Sequence, residues 1–250
     1  MKSTGLKLTF AAAMLASVAV PALADDAPAA PAYGSITGYL AVESDYRYRG
    51  ISQNNTAVTP EGSLNWAGPL GFYAGTWVAQ VDWGGHNPNV EVDIYGGKHF
   101  DLDGTDLNVE AYYYSYPDFN AYGGPKASYF EFQSALSRTF DKLTLTAFGA
   151  YSPEWSLGTG DGWYGAATAS YALTDWLSVS GTVGHQWVQG ITNDYTHWDV
   201  GLTATYKSFT LDVRYVGNDI DKALAGNWAI TNNATRDTVK ANLTYNFTLL

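Results

Sequence analysis

Twelve charged residues are spaced so that they can act together. Glu43, Asp45, Arg47 and Arg49 follow one another at every second position. Glu91 and Asp93 do the same, as do Asp212 and Arg214, and Glu110, Glu131, Asp199 and Lys240 stand singly in similar company. An extended chain points successive side chains to opposite faces, so each of these spacings puts the charges on one side of a strand. Eight acids and four cations on one surface of a sheet allow two kinds of chemistry. They can line a water-filled path with a mild preference for cations, because rings of acids favour cations. They can also pair off into a plug of salt bridges. Adjacent inward charges of opposite sign neutralise one another in a narrow space.

Other candidate groups are weaker. His86, His99, His185 and His197 are scattered without metal-ligand spacing and read as surface or interface residues. The run from Asp101 to Asp106 departs from the spacing of a calcium loop and reads as a hairpin turn. A lipid hydrolase in a barrel needs a lipid-facing Ser beside a His and a polar orienter. No Gly-X-Ser-X-Gly elbow is present, and Ser180 and His185 fall on opposite parities of one strand. No catalytic residue and no cofactor motif is assigned.

The elements that must carry the charges are strands. In the segment from Asp237 to Phe247, Val239, Ala241, Leu243, Tyr245 and Phe247 alternate with Thr238, Lys240, Asn242, Thr244 and Asn246. The same rhythm recurs about twelve times. It opens over residues 35–49, where Ile36, Gly38, Leu40, Val42, Tyr46 and Tyr48 oppose Thr37, Glu43, Asp45, Arg47 and Arg49. In the third repeat, residues 70–83, Tyr73, Trp77, Ala79, Val81 and Trp83 form the apolar set, and Gly96-Gly97 in the fourth is a bulge signal. The aromatic and β-branched types that favour strands dominate, which predicts an all-β fold.

The connections alternate in length. Short turns follow the even-numbered strands and longer polar loops follow the odd ones, the longest being 217–236. Aromatics gather at both ends: Trp66, Phe72, Phe100, Phe140, Tyr171, Trp176, Tyr206, Phe209 and Phe247 by the short turns, and Tyr46, Tyr48, Trp83, Tyr151, Trp163, Trp187, Trp198 and Tyr215 by the long loops. Tyr and Trp favour membrane interfaces, and a sheet crosses lipid only if it closes on itself. These features predict a closed antiparallel up-and-down transmembrane β-barrel over residues 34–250, facing outer-membrane lipid. Lys98 and Arg138 fall on the apolar parity near the short turns, where a long cation can snorkel or a bulge can shift the register.

Residues 1–24 have the plan of a cleaved signal peptide: Lys2 and Lys7, an apolar run from Leu8 to Val20, then Ala22-Leu23-Ala24. Cleavage there removes two lysines and no acid, which takes the formal charge from -11 to -13. Residues 25–33 form a Pro/Ala leader, expected to be disordered. The chain has no cysteine, so an exported fold must be held by pairing and burial alone. Its acidity argues against nucleic-acid binding.

The opening strand, Gly34-Ser-Ile-Thr-Gly-Tyr-Leu-Ala-Val-Glu-Ser-Asp-Tyr-Arg-Tyr-Arg-Gly-Ile-Ser-Gln53, resembles the N-terminal signature of the TorF porin family. The resemblance implies a Gram-negative outer-membrane barrel passing small solutes or ions. It brings no established substrate and no catalytic residues. Many such barrels end on an aromatic residue, whereas Thr248-Leu249-Leu250 follow Phe247 here. A non-conducting structural or receptor barrel is the alternative to a channel. The pattern sets neither the solute nor the oligomeric state.

Overall fold

The computed structural model describes residues 33–83, 88–117, 119, 127–188, 194–220 and 233–250. The proposed signal peptide, residues 25–32 of the leader, His86 and the middle of the 217–236 loop lie outside them.

Twelve antiparallel strands close into one barrel. They are β1 (Ser35–Glu43), β4 (Thr59–Ala67), β5 (Phe72–Gln80), β6 (Val90–Asp101), β7 (Thr105–Ser115), β8 (Tyr129–Phe140), β9 (Leu143–Ser152), β10 (Gly162–Ala172), β11 (Leu177–Val188), β12 (Tyr195–Tyr206), β13 (Phe209–Asn218) and β14 (Thr238–Thr248). A small ribbon, β2 (Arg47–Tyr48) and β3 (Ile51–Ser52), stands apart from the barrel wall. Each wall strand pairs with its sequence neighbour, and β1 pairs with β14 to close the ring. Backbone bonds between Ile36 and Leu249–Leu250 carry that seam past Thr248. Closure leaves no open sheet edge.

The alternation of side chains sets inside and outside. Leu40, Ile94, Val183, Val200, Leu202 and Leu243 are exposed on the outer face, where the apolar parity was expected. Both chain ends described lie at the short-turn end of the barrel. One of the short turns shows why its residues suit it. Asp103 and Gly104 have φ of 55° and 77°, and Leu102 and Thr105 exchange backbone bonds. A two-residue turn of this hand needs left-handed backbone at both positions, which Asp-Gly supplies. The run from Asp101 to Asp106 is therefore a hairpin, with Asp101 accepting from the Gly104 amide at 2.9 Å.

Four expectations are corrected. The Gly96-Gly97 pair makes no bulge, since Tyr73↔Gly97 and Ala74↔Gly96 continue the β5–β6 register. In β5 the faces are reversed. Trp77 and Ala79 are buried inside, as is Val81 just beyond the strand, while Phe72, Val78 and Gln80 face out. Both parities of this strand carry large apolar residues, so periodicity alone chose wrongly. The first strand ends at Glu43 rather than Arg49, because the chain turns into the barrel. Tyr46 and Tyr48 consequently pack inside instead of in the outer aromatic band, and Trp83 does so because it shares the reversed face of Trp77, Ala79 and Val81.

The bands otherwise stand as read. Trp163, Trp187, Trp198 and Tyr215 are exposed toward the long loops, and Phe72, Phe140, Trp176, Tyr206 and Phe209 toward the short turns. Lys98 faces outward with Nζ 4.7 Å from the ring centres of both Phe72 and Phe100. Arg138 faces outward over Phe140 at 5.5 Å and donates to Thr105 Oγ1 at 3.1 Å. Neither cation needs a register shift, since each rests on an aromatic face.

Candidate functional site

The connection 44–58 turns into the barrel over residues 45–54 and builds the site around them. Arg47↔Ser52 and Tyr48↔Ile51 pair in register, which leaves Arg49-Gly50 as a two-residue turn at the tip. Their φ values are 48° and 85°, the left-handed pair such a turn requires. Glycine is needed at position 50 for space as well. A Cβ there would sit 2.7 Å from His197 Cβ. The root of the segment is tied by several bonds. Arg47 Nε donates to Asp45 Oδ2 at 2.8 Å, and Ser52 Oγ donates to Asp45 Oδ1 at 2.6 Å. Arg47 Nη1 reaches the carbonyls of Gly50 at 3.0 Å and Arg236 at 2.8 Å.

The tip places a guanidinium inside the barrel. Arg49 Nη2 donates to Glu131 Oε2 at 2.7 Å, and Nη1 donates to Gln186 Oε1 at 2.6 Å. Its carbon lies 4.0 Å from the ring centre of Tyr164 and 4.6 Å from that of Tyr48. Planar, delocalised and always charged, arginine suits this combination of carboxylate, amide and aromatic face. Glu131 is itself held, accepting from Tyr114 Oη at 3.2 Å and Gln133 Nε2 at 3.1 Å.

One wall of the lumen is tyrosine and carboxylate. Glu91 accepts from Tyr116 at 3.0 Å and from Tyr46 at 3.3 Å, and Asp93 accepts from Tyr112 at 2.9 Å. Tyr73 donates to Glu110. Between them the rings stack, Tyr95 on Tyr112 with centres 5.0 Å apart and Tyr114 on Tyr129 at 4.5 Å. Tyr46 and Tyr116 lie outside the wall strands. Burial, and then the Glu91 carboxylate, push both phenols well above the ordinary tyrosine range, so they remain donors.

The facing wall is ion-paired. Arg214 bonds Asp199, meets Asp212 at 3.0 Å, and donates to Ser180 Oγ at 3.0 Å. Lys240 pairs with Glu43 across the β1–β14 seam. Between the inward segment and the walls lies a cavity of about 90 Å³, lined among others by Glu43, Glu61, Arg47, Arg49, Trp77, Tyr95 and Lys240.

All twelve charged residues singled out by spacing therefore face the interior, nine from wall strands and Asp45, Arg47 and Arg49 from the inward segment. All four cations are paired. Glu91, Asp93 and Glu110 make no ion pair among the described residues, nor does Glu61, which the sequence reading passed over. Glu61 shares a parity with Thr59, Ser63 and Asn65, and that polar row was the available signal. Gln186 and Tyr164 were missed because neither is charged. His197 was read as a surface or interface residue; it is buried inside, with Nε2 2.7 Å from Tyr164 Oη. Ser180 points inward, whereas His185 lies on the outer parity beside Trp187, so the two share no site.

Residues 26–248 match a family described as bacterial protein of unknown function (Gcw_chp). The chain belongs to this family. Solved structures add the fold. The KdgM porin in complex with disordered oligogalacturonate is 7% identical, with a TM-score of 0.55 over 86% of this chain and 99% of that one. The NanC porin is 12% identical, with a TM-score of 0.54 over 84% of this chain and 100% of that one. An outer membrane channel from Pseudomonas putida F1 is 11% identical, with a TM-score of 0.53 over 90% of this chain and 100% of that one. At these identities the likeness is one of fold: this family member has the barrel of outer-membrane porins and channels. No curated protein matches the chain.

Proposed function

We propose that the chain is an outer-membrane channel for passive diffusion of small solutes or ions, with a mild preference for cations. The outward apolar belt meets lipid, since a soluble protein rarely exposes so extended an apolar surface. The short turns then face the periplasm and the long loops the outside. Residues 1–24 direct export and are removed, residues 25–33 form a leader, and the opening strand supports placement within the TorF family.

The observation that carries the cation preference is the lumen's charge balance. Four carboxylates, Glu61, Glu91, Asp93 and Glu110, have no cationic partner among the described residues, while every interior cation is paired. A cleft of one sign of charge concentrates the opposite ion. Oligogalacturonate, seen with KdgM, is a polyanion, and an acid surplus does not favour that class here. Eight strands are filled by side chains and about sixteen leave a water channel, so twelve leave a narrow path. The test is a planar-bilayer recording of purified protein across a potassium chloride gradient. Conductance steps with a reversal potential on the cation side are expected. Steps with anion selectivity would overturn the preference.

One observation favours a second reading. The inward segment packs against the walls around a cavity of about 90 Å³ among the described residues. A barrel fixed in that state is a non-conducting structural or receptor barrel. Replacing residues 46–54 by a short glycine turn separates the two. Conductance in the intact protein supports the channel; silence in the intact protein with conductance in the variant supports the plugged receptor barrel.

A further inference from the structure

The inward segment carries its own cation into a socket that the barrel wall supplies. Glu131 on β8, Tyr164 on β10 and Gln186 on β11 come from regular strands. Each is fixed independently of Arg49. Glu131 accepts from Tyr114 and Gln133 on the wall, besides Tyr48 of the inward segment, Gln186 Nε2 donates to the Trp163 carbonyl at 2.9 Å, and Tyr164 meets His197. The occupant is held differently. Arg49 rides on a ribbon of two residue pairs and keeps a left-handed backbone, φ 48°, which is unfavourable for a non-glycine residue.

We infer that this socket is a binding site for solutes bearing a guanidinium group, which compete with Arg49 for it and release the 44–58 segment from the lumen. The inference deepens the channel reading by naming a solute class and rests on it for access to the lumen. The selectivity is geometric. Two acceptors and an aromatic face match a planar, delocalised cation better than sodium or an alkylammonium. Arg49 competes as a tethered group, and a short tether corresponds to an effective concentration on the order of millimolar. Solutes must reach that range to displace it.

The test uses the full mature chain and methylguanidinium chloride, with sodium chloride as the control. In planar bilayers, millimolar methylguanidinium on the long-loop side should raise open-state occupancy several-fold, and equal sodium should not. Arg49→Asn keeps a residue that tolerates left-handed backbone and removes the tethered cation; it should be open without the solute. A binding arm makes the test independent of conduction. By saturation-transfer NMR in detergent, Arg49→Asn should bind methylguanidinium more tightly than the unsubstituted protein, and Arg49→Asn/Glu131→Gln should lose at least tenfold. If no form conducts while this binding pattern holds, the channel reading fails and the socket stands. Equal responses to methylguanidinium and sodium, or undiminished binding in the double variant, would overturn the inference.

Discussion

Arg49 and Glu131 are 82 positions apart in sequence, and their charged groups meet at 2.7 Å inside the barrel with both side chains almost fully buried. One comes from an inward-turned tip and the other from a wall strand. Their pairing is one of the contacts that hold residues 44–58 against the wall, beside those of Tyr46 with Glu91 and of Arg47 with the Arg236 carbonyl.

Breaking this pair from one side should be costly. Arg49→Asn leaves Glu131 buried without a counter-charge, which destabilises by on the order of 3–5 kcal/mol when nothing relaxes. Adding Glu131→Gln removes the orphan charge and should restore a large part of the loss. Urea midpoints of the two single variants and the double, refolded in detergent, give the coupling. Additive losses would show that the pair does not hold the segment.

The seam offers a parallel case. Lys240→Met leaves Glu43 unpaired at the β1–β14 junction, with Glu61 on the same inner face. The barrel should unfold at a lower temperature, followed by the mobility shift of unheated samples in gels. Lys240→Met/Glu43→Gln should recover most of the difference. Equal loss in both would mean that lysine packing, and not charge, secures the seam.

Lipid contact is tested by depth. Val183 is exposed on the outer face in the middle of β11, and Val183→Lys should cost about 2–4 kcal/mol in lipid vesicles, as a cation does at mid-bilayer. Lys98→Leu, near the short-turn end, should change stability by less than about 1 kcal/mol. If the two substitutions cost the same, the outer face does not lie in hydrocarbon.

The tryptophans divide by face. Trp163 and Trp187 are 53% and 47% exposed outside, and Trp77 is 7% exposed inside. In single-tryptophan variants, brominated lipid chains should quench Trp163 and Trp187 strongly and leave Trp77 nearly unquenched. Strong quenching of Trp77 would reinstate the outward face first read for residues 70–83.

Most of the barrel was legible in the chain, for a simple reason. A sheet with two different surroundings must alternate every second residue, and β9 to β14 do so clearly, as does β8 apart from Arg138. Leu202 against Thr203, or Leu211 against Asp212, can be sorted from type alone. Turn length and the aromatic bands were equally local. The same rule placed the nine charged residues of the wall strands inside. It failed at β5, where Phe72 and Val78 alternate with Tyr73 and Trp77, because a lumen wall made partly of aromatic rings resembles lipid-facing surface in composition.

What the one-dimensional pattern could not hold was the fate of residues 44–58. Their alternation continues that of β1, and nothing local marks Glu43 as the last wall residue. The chain turns inward because partners on distant strands await it: Glu131, Gln186 and Tyr164 for Arg49, Glu91 for Tyr46, and the bare backbone space that Gly50 leaves for His197. Periodicity is a property of neighbours along the chain and is written into it. The pairing of a buried charge depends on which strands the closed ring brings face to face, and only the folded barrel supplies that.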